Sequence, residues 1–422
     1  MPMSTGFTER LGVDLPAVAE HFGTPFYLYD AQGIDETCRA FNAAFSGLDC
    51  REYFAVKALP NPAILRLLAS HGFGFDCSSL PEVALALAAG ASSRDIFFTS
   101  NNTSIDELRA AIDADVFVNI DDESVLNKLI EADAVPAAVG FRINPGRLAD
   151  GFDTSLFGHP DSAKFGIRPD RLLDVCATAV NHGVRSIGLH IMIAANFRTS
   201  EPTLYALDVL TQEATRLREK LDIDVTILNV GGGMGIPYRP DEQPLDLDEL
   251  AGHLRQRLDQ LPPEWRPKLC FENGRLITGP HGVLVTRVVN RMSKWRELVG
   301  VDVGATALLR SLVYSGVYHH ITAPYAAADR TETVDVVGSL CTNIDRLAEQ
   351  RELPVTREGD LLLIHDVGAH GHAMASTYNG RLRPKELLLH PDGSVELIRR
   401  AETEDDYFAT LGFTPDTFSA VR

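Results

Sequence analysis

The sequence contains few cysteines and no long hydrophobic run. Six cysteines are scattered over 422 residues and none forms a C-x-x-C pair, so neither a disulfide framework nor a zinc ribbon is indicated. No apolar stretch is long enough to span a bilayer. The N-terminal "MPMSTGFTERLGVD" lacks the basic-then-apolar pattern of a secretion signal. We therefore expect a soluble, cytoplasmic protein with reduced thiols and no membrane partner.

Positive charge is also scarce. Lysine and arginine number 39 against 58 acidic residues, which gives a formal net charge of −19. A chain with this balance does not attract polyanions, so we expect no nucleic-acid partner, although a local positive pocket could still hold a small anion. Apolar residues make up 45% of the chain, enough for a large barrel plus a smaller domain.

Short apolar runs alternate with helix-like stretches between residues 50 and 275. This alternation is typical of a parallel sheet covered by helices. Eight evenly spaced repeats favour a closed (β/α)8 barrel, an α/β fold, over an open doubly wound sheet. The eight runs are "EYFAVK" (52–57), "FGFDCS" (73–78), "DIFFTS" (95–100), "VFVNI" (116–120), "AVGFRIN" (138–144), "SIGLHIMI" (186–193), "VTILNVGGG" (225–233) and "KLCFENG" (268–274).

After residue 285 the alternation of strands and helices gives way to strand-like segments joined by turns. "GDLLLIHDVGAH" and "ELLLHPDGSVELIRR" read as strands, and Pro-Asp-Gly in the latter marks a hairpin turn. We therefore predict a second, β-rich domain formed by residues 286–422 together with 1–35, which contain the strand-like "FYLYD". The barrel domain is predicted to be residues 36–285.

Polar residues collect at the carboxyl ends of the predicted barrel strands, where barrels of this kind place their chemistry. Lys57 ends the first strand, "GGGMG" (231–235) follows the seventh, and Glu272 lies at the end of the eighth. A lysine can form a Schiff base with an aldehyde, and a glycine-rich turn lets backbone N–H groups approach a phosphate. Pyridoxal phosphate carries both groups and a pyridine nitrogen that takes an acidic partner. The pattern therefore predicts a pyridoxal phosphate site with Lys57 as its covalent anchor.

Simpler interpretations of these residues exist. Lys57 could extend its amine to water from a packed stem, and the glycine run could merely let a strand pack on a helix. A dinucleotide fingerprint is excluded, because the sixth residue counted from Gly231 is Ile236 and from Gly233 is Tyr238, where glycine is required.

Six stretches, taken in order, resemble motifs of the alanine-racemase-like (fold type III) pyridoxal phosphate decarboxylases, and within them the diaminopimelate decarboxylase group. These stretches are "YFAVKA", "GFDCSSLPEVALALAAG", "NVGGGMGIPY", "ENGR", "CTNID" and "DVGAHGHAMASTYNGRLRP". The resemblance implies a barrel with a β-domain, lyase activity on a small amino acid, and a head-to-tail homodimer with shared active sites.

The resemblance also implies roles for individual residues. Lys57 corresponds to the Schiff-base lysine, and Cys341 to a thiol that comes from the partner subunit and reprotonates the substrate carbon. The cofactor contacts implied are Lys57, His190, Met192, Gly231, Gly232, Gly233, Gly235, Glu272, Gly274, Arg275 and Tyr378. The substrate contacts implied are Arg275, Arg310, Tyr314, Thr342 and Tyr378. No metal is implied, and the H-x4-H-x-H spacing of His365, His370 and His372 matches no common zinc pattern.

Two positions depart from the family pattern. Met192 stands where the family has a histidine that stacks on the cofactor ring, and Thr342 stands where a glutamate follows the cysteine. We expect conversion of meso-diaminopimelate to L-lysine and CO2 in lysine biosynthesis. Decarboxylation of a related amino acid with a distal carboxylate, in a specialised pathway, is the alternative. An amino-acid racemase, a non-catalytic relative and a sugar-phosphate barrel enzyme are further alternatives.

Overall fold

The computed structural model describes residues 7, 10–11, 14–146, 159–314, 316–326 and 330–411. The chain divides into two compact units. The barrel unit contains Asp35–Ile236 and Gln243–Ile277, and the sheet unit contains Met1–Ile34, Pro237–Glu242 and Thr278–Arg422. Strands are numbered along the chain, so that β1 (Phe26–Asp30), a strand of the sheet unit, precedes the strands of the barrel.

Eight parallel strands close into a barrel, which confirms the architecture predicted from the strand count. Closure is made by the pairing of the first barrel strand with the last, where Glu52 lies opposite Phe271. Because helices cover the outside of such a barrel, its strands are apolar along nearly their whole length. The strands are β2 (Cys50–Ala55), β3 (Gly74–Cys77), β4 (Ile96–Phe98), β5 (Phe117–Ile120), β6 (Ala138–Ile143), β7 (Ser186–Ile191), β8 (Val225–Asn229) and β9 (Lys268–Phe271).

Amphipathic helices alternate with the barrel strands. The first turns of four of them are capped by short polar side chains; for example, Asn61 accepts a hydrogen bond from the Ala63 N–H at 3.0 Å. Each helix buries one apolar face, as Glu123–Glu131 does with Val125, Leu126 and Leu129. The helices are Ala31–Ala44, Pro62–Ser70, Leu80–Ala88, Ile105–Asp113, Glu123–Glu131, Pro169–Asn181, Glu201–Leu221 and Leu247–Leu258, followed by the short Arg275–Thr278.

The barrel interior changes from aromatic to polar. The rings of Tyr53 and Phe97 stack with centroids 3.8 Å apart, and Cys270 packs against them in the same cluster. Other strands carry buried polar residues close to their carboxyl ends, among them Asp76 on β3 and His190 on β7. The aromatic cluster is part of the barrel core, and the polar residues near the carboxyl ends of the strands form the candidate site described below.

The sheet unit is a nine-stranded mixed sheet, which confirms the predicted β-rich second domain. Its core includes Phe26 of β1, Val283 and Leu361. The predicted hairpin is present, because the last two strands pair antiparallel around Gly393, whose φ is +85°. After β1, the strands are β10 (Gly282–Ser293), β11 (Glu297–Val301), β12 (Ile321–Thr322), β13 (Thr331–Val337), β14 (Arg346–Pro354), β15 (Leu361–Ile364), β16 (Lys385–Leu389) and β17 (Val395–Arg399). Its helices are Leu15–Phe22, Arg310–Val313 and Glu404–Phe408.

The first barrel strand ends earlier than the apolar pattern suggests. β2 stops at Ala55, and Lys57 lies in the 3-10 turn Val56–Ala58 instead of in the strand. Among the described helices, none has the length and apolar character that a membrane span requires.

Candidate active site

The amine of Lys57 lies beside a buried carboxylate. Its Nζ is 3.0 Å from Oδ2 of Asp76 on the neighbouring strand β3. Asp76 is completely buried, whereas the Lys57 side chain keeps 50% of its exposure. Desolvation disfavours the charged amine, but the carboxylates of Asp76 and Glu272 outweigh this effect and raise the pKa of Lys57. The turn after β2 therefore presents a charged amine next to a group that can accept its proton.

Asp76 is a candidate site residue that the sequence prediction omits. Burial, followed by the nearby charge of Glu272, raises the pKa of its carboxyl, which makes Asp76 a better proton acceptor than an exposed aspartate. The signal that could have revealed it is a carboxylate inside the apolar strand "GFDC", since a buried charge needs a partner.

Glu272 follows β9, and both oxygens of its carboxylate contact neighbouring side chains. Its Oε1 accepts a hydrogen bond from Nδ2 of Asn229 at 2.7 Å, and its Oε2 lies 3.2 Å from Nε2 of His190. Burial alone would raise the pKa of this carboxyl, but His190, Lys57 and the Asn229 amide outweigh burial and lower it to about 2. Glu272 is therefore a buried, ionised carboxylate whose two oxygens are both held by neighbouring side chains. These properties suit a partner for a protonated ring nitrogen.

The glycine run after β8, residues 231–236, leaves two adjacent backbone N–H groups available. The N–H groups of Gly232 and Gly233 donate to no acceptor in the described part of the chain. Two neighbouring N–H donors of this kind can bind a phosphate oxygen. The other four N–H groups are taken: Gly231 by Asn229 Oδ1 at 2.9 Å, Met234 by Asn273 Oδ1 at 3.3 Å, Gly235 by the Phe197 carbonyl at 2.7 Å, and Ile236 by Asn196 Oδ1 at 3.2 Å.

Side chains are excluded from this run by the surrounding backbone. A Cβ atom at Gly232 would lie 2.0 Å from the carbonyl oxygen of Glu272. A Cβ atom at Gly233, whose φ is +94°, would lie 2.1 Å from the carbonyl oxygen of Ala194. The run is therefore glycine because the ends of β7 and β9 approach its backbone directly.

The remaining predicted cofactor contacts of the barrel unit surround this run. Met192 is half-buried, and its Sδ would lie 3.2 Å from a Cβ atom at Gly231. A Cβ atom at Gly274 would lie 2.4 Å from Cβ of Ala58, in the turn that carries Lys57. Arg275 is half-buried and begins the short helix Arg275–Thr278. The barrel unit thus brings the lysine, the glycine run, the thioether and the carboxylate to the same strand ends.

Five predicted site residues belong to the sheet unit: Arg310, Tyr314, Cys341, Thr342 and Tyr378. Arg310 is buried, and its Nη1 donates to Oη of Tyr238 at 2.8 Å. Tyr314 is half-buried at the end of the helix Arg310–Val313. A buried guanidinium with a phenol beside it is suited to binding a carboxylate.

Cys341 lies in the loop between β13 and β14 with its side chain exposed. The Cys341 N–H donates to Oδ1 of Asn379 at 2.9 Å, which places this loop beside Tyr378. The Tyr378 side chain is itself exposed, and Thr342 is half-buried. Cys341 and Tyr378 therefore form an accessible pair on the sheet unit.

The histidines that invite a metal interpretation have other partners. His365 Nε2 is 2.8 Å from Oγ1 of Thr322, and His372 Nε2 is 3.0 Å from the carbonyl oxygen of Pro384. Across the residues that the structure describes, no three His, Cys, Asp or Glu side chains gather into a possible metal site.

The barrel residues fit pyridoxal phosphate. Lys57 provides the amine for the aldehyde, the N–H groups of Gly232 and Gly233 provide donors for the phosphate, and Glu272 provides the carboxylate for the ring nitrogen. When bound, this cofactor withdraws electrons from a carbanion at the α-carbon of an amino acid.

Comparison with known proteins agrees with this chemistry. Residues 31–279 match the model of the pyridoxal-dependent decarboxylase family, pyridoxal binding domain. Protein TabA of Pseudomonas amygdali pv. tabaci is 46% identical over 424 residues, which cover 100% of this chain and 99% of that protein. Diaminopimelate decarboxylase of Methanothermobacter thermautotrophicus is 36% identical over 94% of this chain and 93% of its own.

A solved structure shares the whole fold. The crystal structure of diaminopimelate decarboxylase from Helicobacter pylori, complexed with L-lysine, matches with a TM-score of 0.85 and 29% sequence identity, covering 94% of this chain and 98% of that one. The chain belongs to the pyridoxal-dependent decarboxylases of the barrel type. It is a carboxy-lyase, and its cofactor is pyridoxal 5′-phosphate.

Proposed function

We propose that this enzyme converts meso-diaminopimelate to L-lysine and CO2, a step of lysine biosynthesis. The observation that carries the proposal is similarity to diaminopimelate decarboxylases over nearly the whole length of both chains, including one solved with L-lysine. The buried guanidinium of Arg310 supports it, because this substrate has a carboxylate at the end remote from the reaction.

Asp76, Glu272 and Cys341 have different roles in the proposed reaction. Asp76 is the carboxylate beside the Lys57 amine, and it could take up the proton that this amine would release on holding the cofactor. Glu272 stays ionised and would hold a proton on the ring nitrogen of the cofactor, which would then favour loss of the substrate carboxylate as CO2. Once CO2 has left, a proton must replace it on that carbon, and we assign its delivery to the thiol of Cys341.

We propose a homodimer in which each active site takes Cys341 from the partner. The exposure of Cys341 and Tyr378 supports this proposal, because only an accessible side chain can reach an active site on a second copy. Lys57→Ala and Cys341→Ala chains should each be inactive alone. Mixed heterodimers should recover part of the activity, and failure to recover any in verified heterodimers would contradict a shared site.

A second substrate is favoured by the loop that follows Cys341. Diaminopimelate carries a distal ammonium as well as a distal carboxylate, and Thr342 offers that ammonium a hydroxyl without charge. Asp345 cannot supply the charge, because its two carboxylate oxygens accept the N–H groups of Ala305 and Leu340, each at 2.7 Å, inside the fold. Asn343 accepts a hydrogen bond from Arg346 at 3.2 Å. A related amino acid with a distal carboxylate and no distal ammonium is therefore the second candidate.

Turnover of meso-diaminopimelate and of an analogue without the distal amine separates the two candidates. A charged hydrogen-bond partner contributes about 1.5–3 kcal/mol, so Thr342→Glu should shift the preference toward meso-diaminopimelate by about tenfold or more if the loop contacts that end. Thr342→Val is the matched control, since it keeps the shape and removes the hydroxyl. If the wild type decarboxylates neither compound, both proposed substrates are wrong.

A further inference from the structure

A carboxyl group is buried beside the turn that carries Glu272, and it forms no ion pair with a lysine or arginine in the described part of the chain. Glu52 lies on β2, five residues before Lys57, and is almost completely buried. Burial raises the pKa of its carboxyl to about 8. A buried carboxyl destabilises a fold unless it is hydrogen-bonded, so its partners indicate what it does there.

Both oxygens of Glu52 are used by one residue on the opposite side of the barrel seam. Oε1 accepts the backbone N–H of Asn273, and Oε2 accepts Nδ2 of the same residue at 2.9 Å. Asn273 directly follows Glu272, the carboxylate assigned to the ring nitrogen. The two contacts therefore fix both the backbone and the side chain of the turn that carries Glu272.

Asn273 passes this constraint on to the glycine run. Its Oδ1 accepts the N–H of Met234 at 3.3 Å, and its carbonyl oxygen accepts the N–H of Ala55 at 3.3 Å. Met234 follows Gly233, one of the two glycines whose N–H groups are available for phosphate. A single asparagine thus joins three strand ends, and Glu52 sets the orientation of its amide.

We infer that Glu52 and Asn273 are positioning residues for pyridoxal phosphate, which together hold the glycine run at a fixed distance from Glu272. Neither residue needs to touch the cofactor. Because the Nδ2 of Asn273 is engaged by Glu52, its Oδ1 is turned toward Met234, and the free N–H groups of Gly232 and Gly233 are held in place. The inference rests on the family's cofactor and is independent of the substrate proposed above.

The test reverses the polarity of the pair. The comparison is made above pH 8, where Glu52 is ionised and both of its oxygens accept hydrogen bonds. Under that condition, Glu52→Gln replaces one acceptor oxygen by an NH2 group, which faces a donor of Asn273 whichever way the new amide is turned. The double variant Glu52→Gln/Asn273→Asp restores complementary groups, because the aspartate accepts from the glutamine and its second oxygen still accepts from Met234. Glu213→Gln is the control, since Glu213 is a buried carboxyl that pairs with Arg216 on a helix.

The readout is the dissociation constant of pyridoxal phosphate, measured by titrating it into the full-length protein after the cofactor has been removed. Glu52→Gln should raise the dissociation constant of pyridoxal phosphate about tenfold to a hundredfold, an effect typical of residues that orient the groups in direct contact with a bound species. The double variant should recover most of that loss, and Glu213→Gln should bind as the wild type does. Thermal unfolding of all four proteins shows that the variants are folded.

Two results would overturn the inference. One is a wild-type dissociation constant in Glu52→Gln. The other is a loss in Glu52→Gln that the double variant does not reverse although it is folded, because this would show that the pair has no orienting role. An inactive wild type that binds the cofactor normally would count against the proposed substrate and leave this inference standing.

Discussion

Glu52 should make the protein less stable as the pH rises from about 5 to about 8. Burial raises the pKa of its carboxyl from 4.5 to about 8, although the two hydrogen bonds from Asn273 oppose the shift. Between these two values the folded chain keeps a proton that the unfolded chain has already released. The stabilising contribution is therefore complete below the unfolded pKa and is lost as the pH rises through the folded one.

The size of the effect follows from the shift. One proton retained only by the folded chain changes the unfolding free energy by ~1.4 kcal/mol per pH unit, so the loss across this window of about three pH units is ~4 kcal/mol. Whole domains are stabilised by only ~5–15 kcal/mol, so a single carboxyl controls a measurable part of the total.

The assay compares the unfolding free energy of the wild type and Glu52→Gln in urea at several pH values. Glutamine cannot ionise, so the difference between the two proteins isolates Glu52 from other titrating groups. Any difference in hydrogen bonding to Asn273 offsets the curve of the variant by a constant amount, and the stability of the wild type relative to the variant should fall by ~4 kcal/mol toward alkaline pH. Glu131→Gln, at an exposed carboxyl, should follow the wild type. Parallel curves for wild type and Glu52→Gln would refute the reasoning.

Four further variants test the site. Lys57→Ala should fold but fail to retain cofactor after borohydride reduction and should show negligible turnover; covalent cofactor in the variant would contradict its role. Asp76→Asn removes the nearest carboxylate, so the pKa of the Lys57 amine should fall, which the pH dependence of Lys57 labelling by an amine-reactive reagent in the cofactor-free protein would reveal. Glu272→Gln should reduce kcat about a hundredfold or more with the cofactor still bound, and an unchanged kcat would remove it from the mechanism. Gly232→Ala should abolish cofactor binding, whereas Gly252→Ala, where a Cβ atom meets nothing within 4 Å, should bind normally and gain up to ~1 kcal/mol of stability.

The local sequence was sufficient for the architecture and for the reactive groups. The barrel could be predicted because each strand is a continuous apolar run and each helix buries one face. Both patterns can be recognised from a few neighbouring residues. The same holds for Lys57 and the glycine run, which stand out at strand ends. Arg310 and Cys341 entered only through resemblance, since an isolated arginine or cysteine has no local signal that separates a functional residue from an ordinary one.

The tertiary structure decided which of these groups work together. Asp76 becomes a partner of Lys57 because β3 lies beside β2 and the turn that follows it, although the sequence shows only a carboxylate in an apolar run. Glu52 and Asn273 are 221 residues apart, and only closure of the barrel brings them into contact. Asp345 could have offered a charge to a substrate, but folding of its own loop uses both oxygens. Sequence patterns report burial and periodicity, which are local, whereas hydrogen-bond partners across a closed barrel are set by how distant segments meet.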